Sequence, residues 1–123
     1  MSFKFESLTV WKLSMELGEE IHALAKSFPK EELFNLSSQI RRAADSVALN
    51  IAEGSILQSH LEFSKFLGYS IRSISEVVTC LHKAKLRKYI SNEQFEKNYT
   101  ACFNLINMLI SFQKKVRLAE GVK

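Results

Sequence analysis

The chain has 123 residues, 46% of them hydrophobic and 24% charged, with four Gly, one Pro and two Cys. That length fits one domain spanning 1–123 with a single core, and the composition excludes wholesale disorder. So few turn formers also argue against a β-rich fold. The net charge is +4, divided unevenly: residues 1–62 carry −3 and residues 63–123 carry +7.

The opening "MSFKFESLTVW" has no apolar export core, and no apolar run approaches a membrane span, so the expected compartment is the cytoplasm. In a reducing compartment Cys80 and Cys102, which form no CxxC, read as small core side chains.

In chain order, the first predicted helix runs from Thr9 to Ser27 and carries Val10, Leu13, Leu17, Ile21, Leu24 and Phe28 at helical spacing. Leu8, Trp11 and Met15 form a second apolar patch on this helix, which calls for a second packing partner. Pro29 ends it. The second helix spans Ser37 to Glu53, with Gly54 expected just past its end in left-handed backbone angles. Ser59 and Glu62 frame a capping box for a third helix over 60–88. That helix has Phe63, Phe66, Leu67, Ser70, Ile74, Val77, Leu81 and Ala84 on one face. Ser91 and Gln94 frame another box, and the fourth helix reaches Leu118. Its Phe95, Tyr99, Cys102, Ile106, Leu109, Gln113 and Val116 make a heptad seam. The expected fold is all-α, an antiparallel up-down-up-down four-helix bundle.

The second helix, "QIRRAADSVALNIAEG", carries two stripes. Its alanines and β-branched residues form a core face. Gln39, Arg42, Ser46, Asn50 and Glu53 lie within an arc of about 80° beside that face. Leu49 lies beyond them, a further oligomer-interface candidate with Leu8, Trp11 and Met15. Half-buried polar groups need partners. Glu62 and Glu76 on the third helix are the candidates, with Asn50 expected beside Glu62 and Arg42 within reach of Glu76. A structural polar ladder is the expected role, within one chain or between chains.

These segments carry a resemblance. "FESLTVWKLSMEL", "FPKEELFNLSSQIRRAADSVALNIAEG" and "EFSKFL" with the later Glu76 resemble the four-helix-bundle family of 23S rRNA intervening-sequence proteins over residues 3 to 110. The same bundle occurs in accessory variability determinants of diversity-generating retroelements. The resemblance implies a homopentamer with a central channel and an RNA or nucleoprotein role through a basic surface. It brings no catalytic residues. The motif positions it carries over are Gln39, Arg42, Ala43, Ser46, Asn50, Ile51, Ala52, Glu53, Gly54, Glu62 and Glu76. Two departures stand out. Ile56-Leu57-Gln58 replaces a basic residue that often follows the EG pair, and Arg72-Ser73 replaces a Gly-Ser pair.

Motifs for phosphate loops, dinucleotide binding and serine hydrolysis are absent. Glu19 and His22 give one E-x-x-H where a di-metal bundle needs two plus further glutamates. No enzyme activity, cofactor, metal, small-molecule substrate or membrane association is expected. Lys83, Lys85, Arg87 and Lys88 end the third helix, and Lys114, Lys115 and Arg117 lie near the end of the fourth. Cations there offset the helix dipole and also suit phosphate contacts. The leading expectation is a homo-oligomeric RNA- or nucleoprotein-binding protein. The alternative is a protein-interaction scaffold with no nucleic-acid role.

Overall fold

The computed structural model describes the backbone of residues 1–122 and the side chains of residues 1–119. Four α-helices follow one another: α1 Thr9–Ala25, α2 Leu36–Ser55, α3 His60–Leu86 and α4 Asn92–Val122. Single 3-10 turns at Lys4–Ser7 and Lys30–Glu32 precede α1 and α2. No strand occurs among the described residues. Each helix packs on its neighbour in sequence, and α1 also touches α4, giving the antiparallel four-helix bundle.

The core is where helical periodicity places it. Leu17 and Ile21 of α1, Ile40, Val47 and Ile51 of α2, Leu67, Ile74 and Leu81 of α3, and Cys102 and Leu109 of α4 are buried. Both cysteines are free, fully buried thiols. Burial pushes both pKa values up, that of Cys102 to about 12, so neither is a thiolate at neutral pH.

The helix ends follow the capping signals in part. Ser91 Oγ accepts from the Gln94 amide at 3.0 Å, and the Ser91 amide donates to Gln94 Oε1 at 2.9 Å, a complete capping box. Ser59 Oγ accepts from the Glu62 amide at 3.2 Å.

Two ends differ from expectation. Gly54 is not a left-handed residue past α2; it lies inside the helix, and no described glycine has positive φ. Its role is steric: a Cβ there would lie 2.6 Å from Phe66 Cβ and 3.0 Å from Phe63 Cδ1. The missing side chain lets α2 continue to Ser55 while α3 crosses close to its end.

The left-handed residue is instead Lys88, at φ 63°. The Tyr89 amide donates to Ala84 O at 2.9 Å and the Lys88 amide to Lys85 O at 3.0 Å, the pair of bonds that closes a helix on a left-handed residue. Glycine favours this position, and an L side chain there costs about 1 kcal/mol. Lys88→Gly is therefore expected to stabilise the fold by about 1 kcal/mol, read as a raised midpoint in urea denaturation. An unchanged or lowered midpoint would show that the Lys88 side chain contributes something this backbone account omits.

Candidate nucleic-acid and assembly surfaces

Only part of the polar stripe of α2 meets α3, and serines do the joining. Ser46 Oγ and Ser73 Oγ are 2.5 Å apart, and each also reaches a carbonyl of its own helix, Ala43 O at 2.8 Å and Tyr69 O at 3.1 Å. Ser70 is fully buried and donates to Val47 O at 2.8 Å across the interface. Asn50 Nδ2 turns back to Ser46 O at 2.8 Å. A hydroxyl that satisfies a carbonyl across the interface removes the desolvation cost of both groups and fixes the register.

That register differs from the expected one. The pairings of Ser46 with Ser73, Val47 with Ser70 and Gly54 with Phe63 centre the hairpin near Ser59, not Ile56. The two extra helical residues at the end of α2 shift the partners. Asn50 consequently stands level with Gly68 rather than Glu62, and Arg42 stands level with Glu76. Arg42, Glu53, Glu62 and Glu76 are all exposed, and Gln39 is half-buried. Among the described residues no ion pair joins Arg42 to Glu76. Of the carried-over stripe, Ser46 and Asn50 work inside the chain, while Arg42, Glu53, Glu62 and Glu76 present charge outward.

His22, the histidine of the E-x-x-H, lies 3.0 Å from Asp45 and ties α1 to α2. No group of three or more metal-ligating side chains is found among the described residues. No helix among them is long and apolar enough to cross a membrane.

The basic groups at the end of α3 are not equivalent. Arg87 Nη1 donates to Glu32 Oε2 at 2.9 Å. Lys85 Nζ sits 4.5 Å from the centroid of the Phe95 ring. Lys83 and Lys88 are exposed and make no ion pair among the described residues. Lys114, Lys115 and Arg117 are exposed at the other end of the bundle. There Lys115 shares a groove with Leu8 and His60. The 27 residues of α3 separate the two basic ends by about 40 Å at 1.5 Å per residue.

Sequence reading missed Glu32. Its carboxylate is buried although it lies in the run Lys30-Glu31-Glu32. Oε1 accepts from Asn35 Nδ2 at 3.0 Å and from the Leu36 amide at 3.3 Å. Oε2 accepts from Tyr89 Oη at 2.7 Å as well as from Arg87. The Tyr89 hydrogen bond, with those from Leu36 and Asn35 and the charge of Arg87, outweighs burial and holds the carboxyl below its ordinary range. The cluster joins the α1–α2 connection to the α3–α4 corner.

The four assembly candidates separate as well. Trp11 is half-buried with its ring 5.3 Å from that of Phe5, and Leu8 is half-buried against the core. Met15 and Leu49 are exposed, at 46% and 59%. A further apolar surface lies on α4. Over residues 99–112 the polar side chains Thr100, Asn104, Asn107 and Ser111 fall in an arc of about 60°, and the apolar ones span about 220° on an ideal wheel. A helix buried on one side needs little more than 100°. One flank faces α1, where Leu13, Leu105 and Met108 help line an open groove of about 500 Å³. The other flank carries Tyr99, Phe103, Ile106 and Ile110, with Phe103 exposed at 55%. A helical wheel of residues 99–112, in place of one heptad seam, contains this signal.

Among curated proteins none matches the chain. One similar solved structure is the crystal structure, at 1.70 Å, of a protein with unknown function from the S23 ribosomal protein family of Bacteroides thetaiotaomicron. It is 28% identical, covers 86% of this chain and 99% of its own, and superposes with a TM-score of 0.80. The family model for the 23S rRNA-intervening sequence protein matches residues 6–111. The matched span includes the polar stripe of α2, Glu32 and the basic end of α3, and on that match the chain belongs to the 23S rRNA-intervening sequence protein family.

Proposed function

We propose that the chain is a non-enzymatic assembly protein, a homo-oligomer of pentameric stoichiometry, that binds RNA or a nucleoprotein through its basic surfaces. The observation that carries the assembly reading is the apolar arc of α4 over residues 99–112, which is wider than burial on one side needs. Exposed Met15 and Leu49 add apolar surface. The outward charges of Arg42, Glu53, Glu62 and Glu76 suit complementary contacts between copies. The RNA reading is supported by the exposed cations Lys83 and Lys88, which make no ion pair among the described residues, and by the excess of positive charge in the second half of the chain. Repetition around a ring would multiply these weak phosphate contacts. The non-enzymatic reading is supported by Glu32, a buried carboxylate whose oxygens are occupied by four protein donors.

The test separates folding from assembly. Arg42 is exposed and makes no ion pair among the described residues, so Arg42→Ala should change urea stability of the isolated subunit by no more than about 0.5 kcal/mol. The same variant should lower the oligomer mass in light scattering from about 70 kDa, five chains of 14.1 kDa, toward one. A wild-type chain that is strictly monomeric at micromolar concentration would refute the assembly reading. RNA affinity should fall steeply with salt, and Lys83→Glu with Lys88→Glu should reduce both affinity and salt slope. Arg87 is left intact in that variant because reversing it would also break the Glu32 cluster. A protein partner that stays bound after nuclease treatment, with no RNA affinity, would favour the scaffold alternative.

A further inference from the structure

The α1–α2 connection presents Phe34 to solvent almost completely, at 93% exposure, with Leu33 beside it at 49%. An exposed phenylalanine on a loose loop would carry no argument, but this backbone is held on both sides of the ring. The Glu32 amide donates to Pro29 O at 2.9 Å, the Leu33 amide to Lys30 O at 3.0 Å and the Asn35 amide to Glu32 O at 2.9 Å. The Glu32 carboxylate then grips the Asn35 side chain and the Leu36 amide, and through Arg87 and Tyr89 it fixes the whole segment to the end of α3. The ring is thus held outward by a clamp that ends two residues away.

The same clamp sets the ring's electrostatic surroundings. Phe34 is two Cα steps from Glu32, at most about 7.6 Å along the chain. Glu32 is hydrogen-bonded to Arg87, the residue before Lys88. Lys30 opens the 3-10 turn that Glu32 closes. Lys30 and Lys88 are exposed, and neither makes an ion pair among the described residues. Glu32, the carboxylate of the clamp, is buried and already matched by Arg87, whereas Glu31 is exposed beside Lys30 and offsets one of the surrounding cations.

An exposed aromatic ring on a held backbone, with exposed cations on the two elements that the clamp joins, is the arrangement on which a nucleic-acid base stacks while neighbouring phosphates are neutralised. We infer that Phe34 is a stacking platform for a base of single-stranded RNA, with Lys30, Lys83 and Lys88 as its phosphate partners. This inference rests on the RNA reading above and locates it at one end of the bundle. A double helix keeps its bases stacked on one another and offers no free face, so the platform selects single strands.

The experiment uses a fluorescently labelled single-stranded RNA of about ten nucleotides and the duplex of the same sequence. Affinity is measured by anisotropy at about 50 mM salt and again at about 200 mM. Phe34→Ala should weaken single-strand binding about 10-fold or more. It should leave the salt slope unchanged, because stacking releases no counterions. Phe34→Leu, apolar but without a ring, should weaken binding as alanine does. Phe34→Trp should keep the affinity, and its added emission over that of Trp11 should be quenched by the RNA. Phe34 is exposed, so these variants should retain the helical circular dichroism of the parent. RNA binding that is equal in the parent and Phe34→Ala overturns the platform and leaves the RNA reading standing. No binding by the parent at low salt overturns both. A Phe34→Ala variant whose only change is a smaller oligomer places the ring against another copy of the chain and overturns the platform.

Discussion

Gly54→Ala is expected to cost about 2 kcal/mol, in the range of an overpacked core. The corresponding fall in Tm is about 8 °C for a chain of this size. The added methyl would sit 2.6 Å from Phe66 Cβ and 3.0 Å from Phe63 Cδ1. The first of these atoms cannot swing aside by a side-chain rotation, because its position is fixed by the α3 backbone. Relief requires α3 to move off α2, and the Ser46–Ser73 and Ser70–Val47 bonds resist that movement. The normal gain from replacing a helical glycine with alanine, about 0.5–1 kcal/mol, offsets only part of this. Gly18 in α1 supplies the control. A Cβ there meets only Asp45 Oδ1, at 3.8 Å, an ordinary contact. Gly18→Ala should therefore stabilise by about 0.5–1 kcal/mol. Thermal denaturation of the two variants at one protomer concentration gives the comparison, since assembly would make Tm depend on concentration. Shifts of the same sign would defeat the steric account of Gly54.

The same glycine marks a limit of sequence reading. A glycine near the end of a helical pattern has two physical uses, a left-handed cap or a place where another helix comes close, and both are written with one letter. The left-handed function passed to Lys88, where nothing in the sequence distinguishes it from the other cations of the α3 end. By contrast, the core faces were legible because burial on a helix imposes a period of 3.6, and Val10, Leu17, Ile21 and Leu24 obey it. The Ser91–Gln94 box was legible because its chemistry is local, with partners three residues apart. Of the α2 stripe only Ser46 bonds across to α3, and the partners expected for the rest depended on where the hairpin turned. A slip of a few residues changed Asn50's neighbour on α3 from Glu62 to Gly68. Glu32 was the least legible of all. It lies in a charged run typical of surface, and its strongest partners, Arg87 and Tyr89, are 55 and 57 positions away.

Glu32→Gln should lower Tm at neutral pH by several degrees and remove the acid dependence that Glu32 gives the fold. The glutamine keeps the size of the side chain, but its amide nitrogen must face either Tyr89 and Arg87 or Asn35 and the Leu36 amide. Each side holds a group that can only donate, Arg87 on one and the Leu36 amide on the other, so one side of the cluster loses its acceptor. The pH dependence follows from the direction of the shift. The folded carboxyl titrates below its ordinary value of 4.5, so in that window the unfolded chain binds the proton more readily. The contribution of Glu32 is complete above 4.5 and is lost as pH falls through the lower folded value. Tyr89 gives the mirror image. The hydrogen bond to Glu32, with burial and the neighbouring carboxylates, raises the phenol above its ordinary 10.0. Its contribution is present below pH 10.0 and is lost as pH rises through the folded value. Urea midpoints for the parent, Glu32→Gln and Tyr89→Phe from acid to alkaline pH read both edges. The parent and Glu32→Gln curves should converge at the acid edge, and Tyr89→Phe should flatten the alkaline edge while raising the pH at which the acid loss occurs. Parallel curves at all pH values would mean that the cluster holds the α1–α2 connection by packing alone. A Glu32→Gln variant that also loses RNA affinity while Phe34 is unchanged would tie the rigidity of the clamp to the surface it presents.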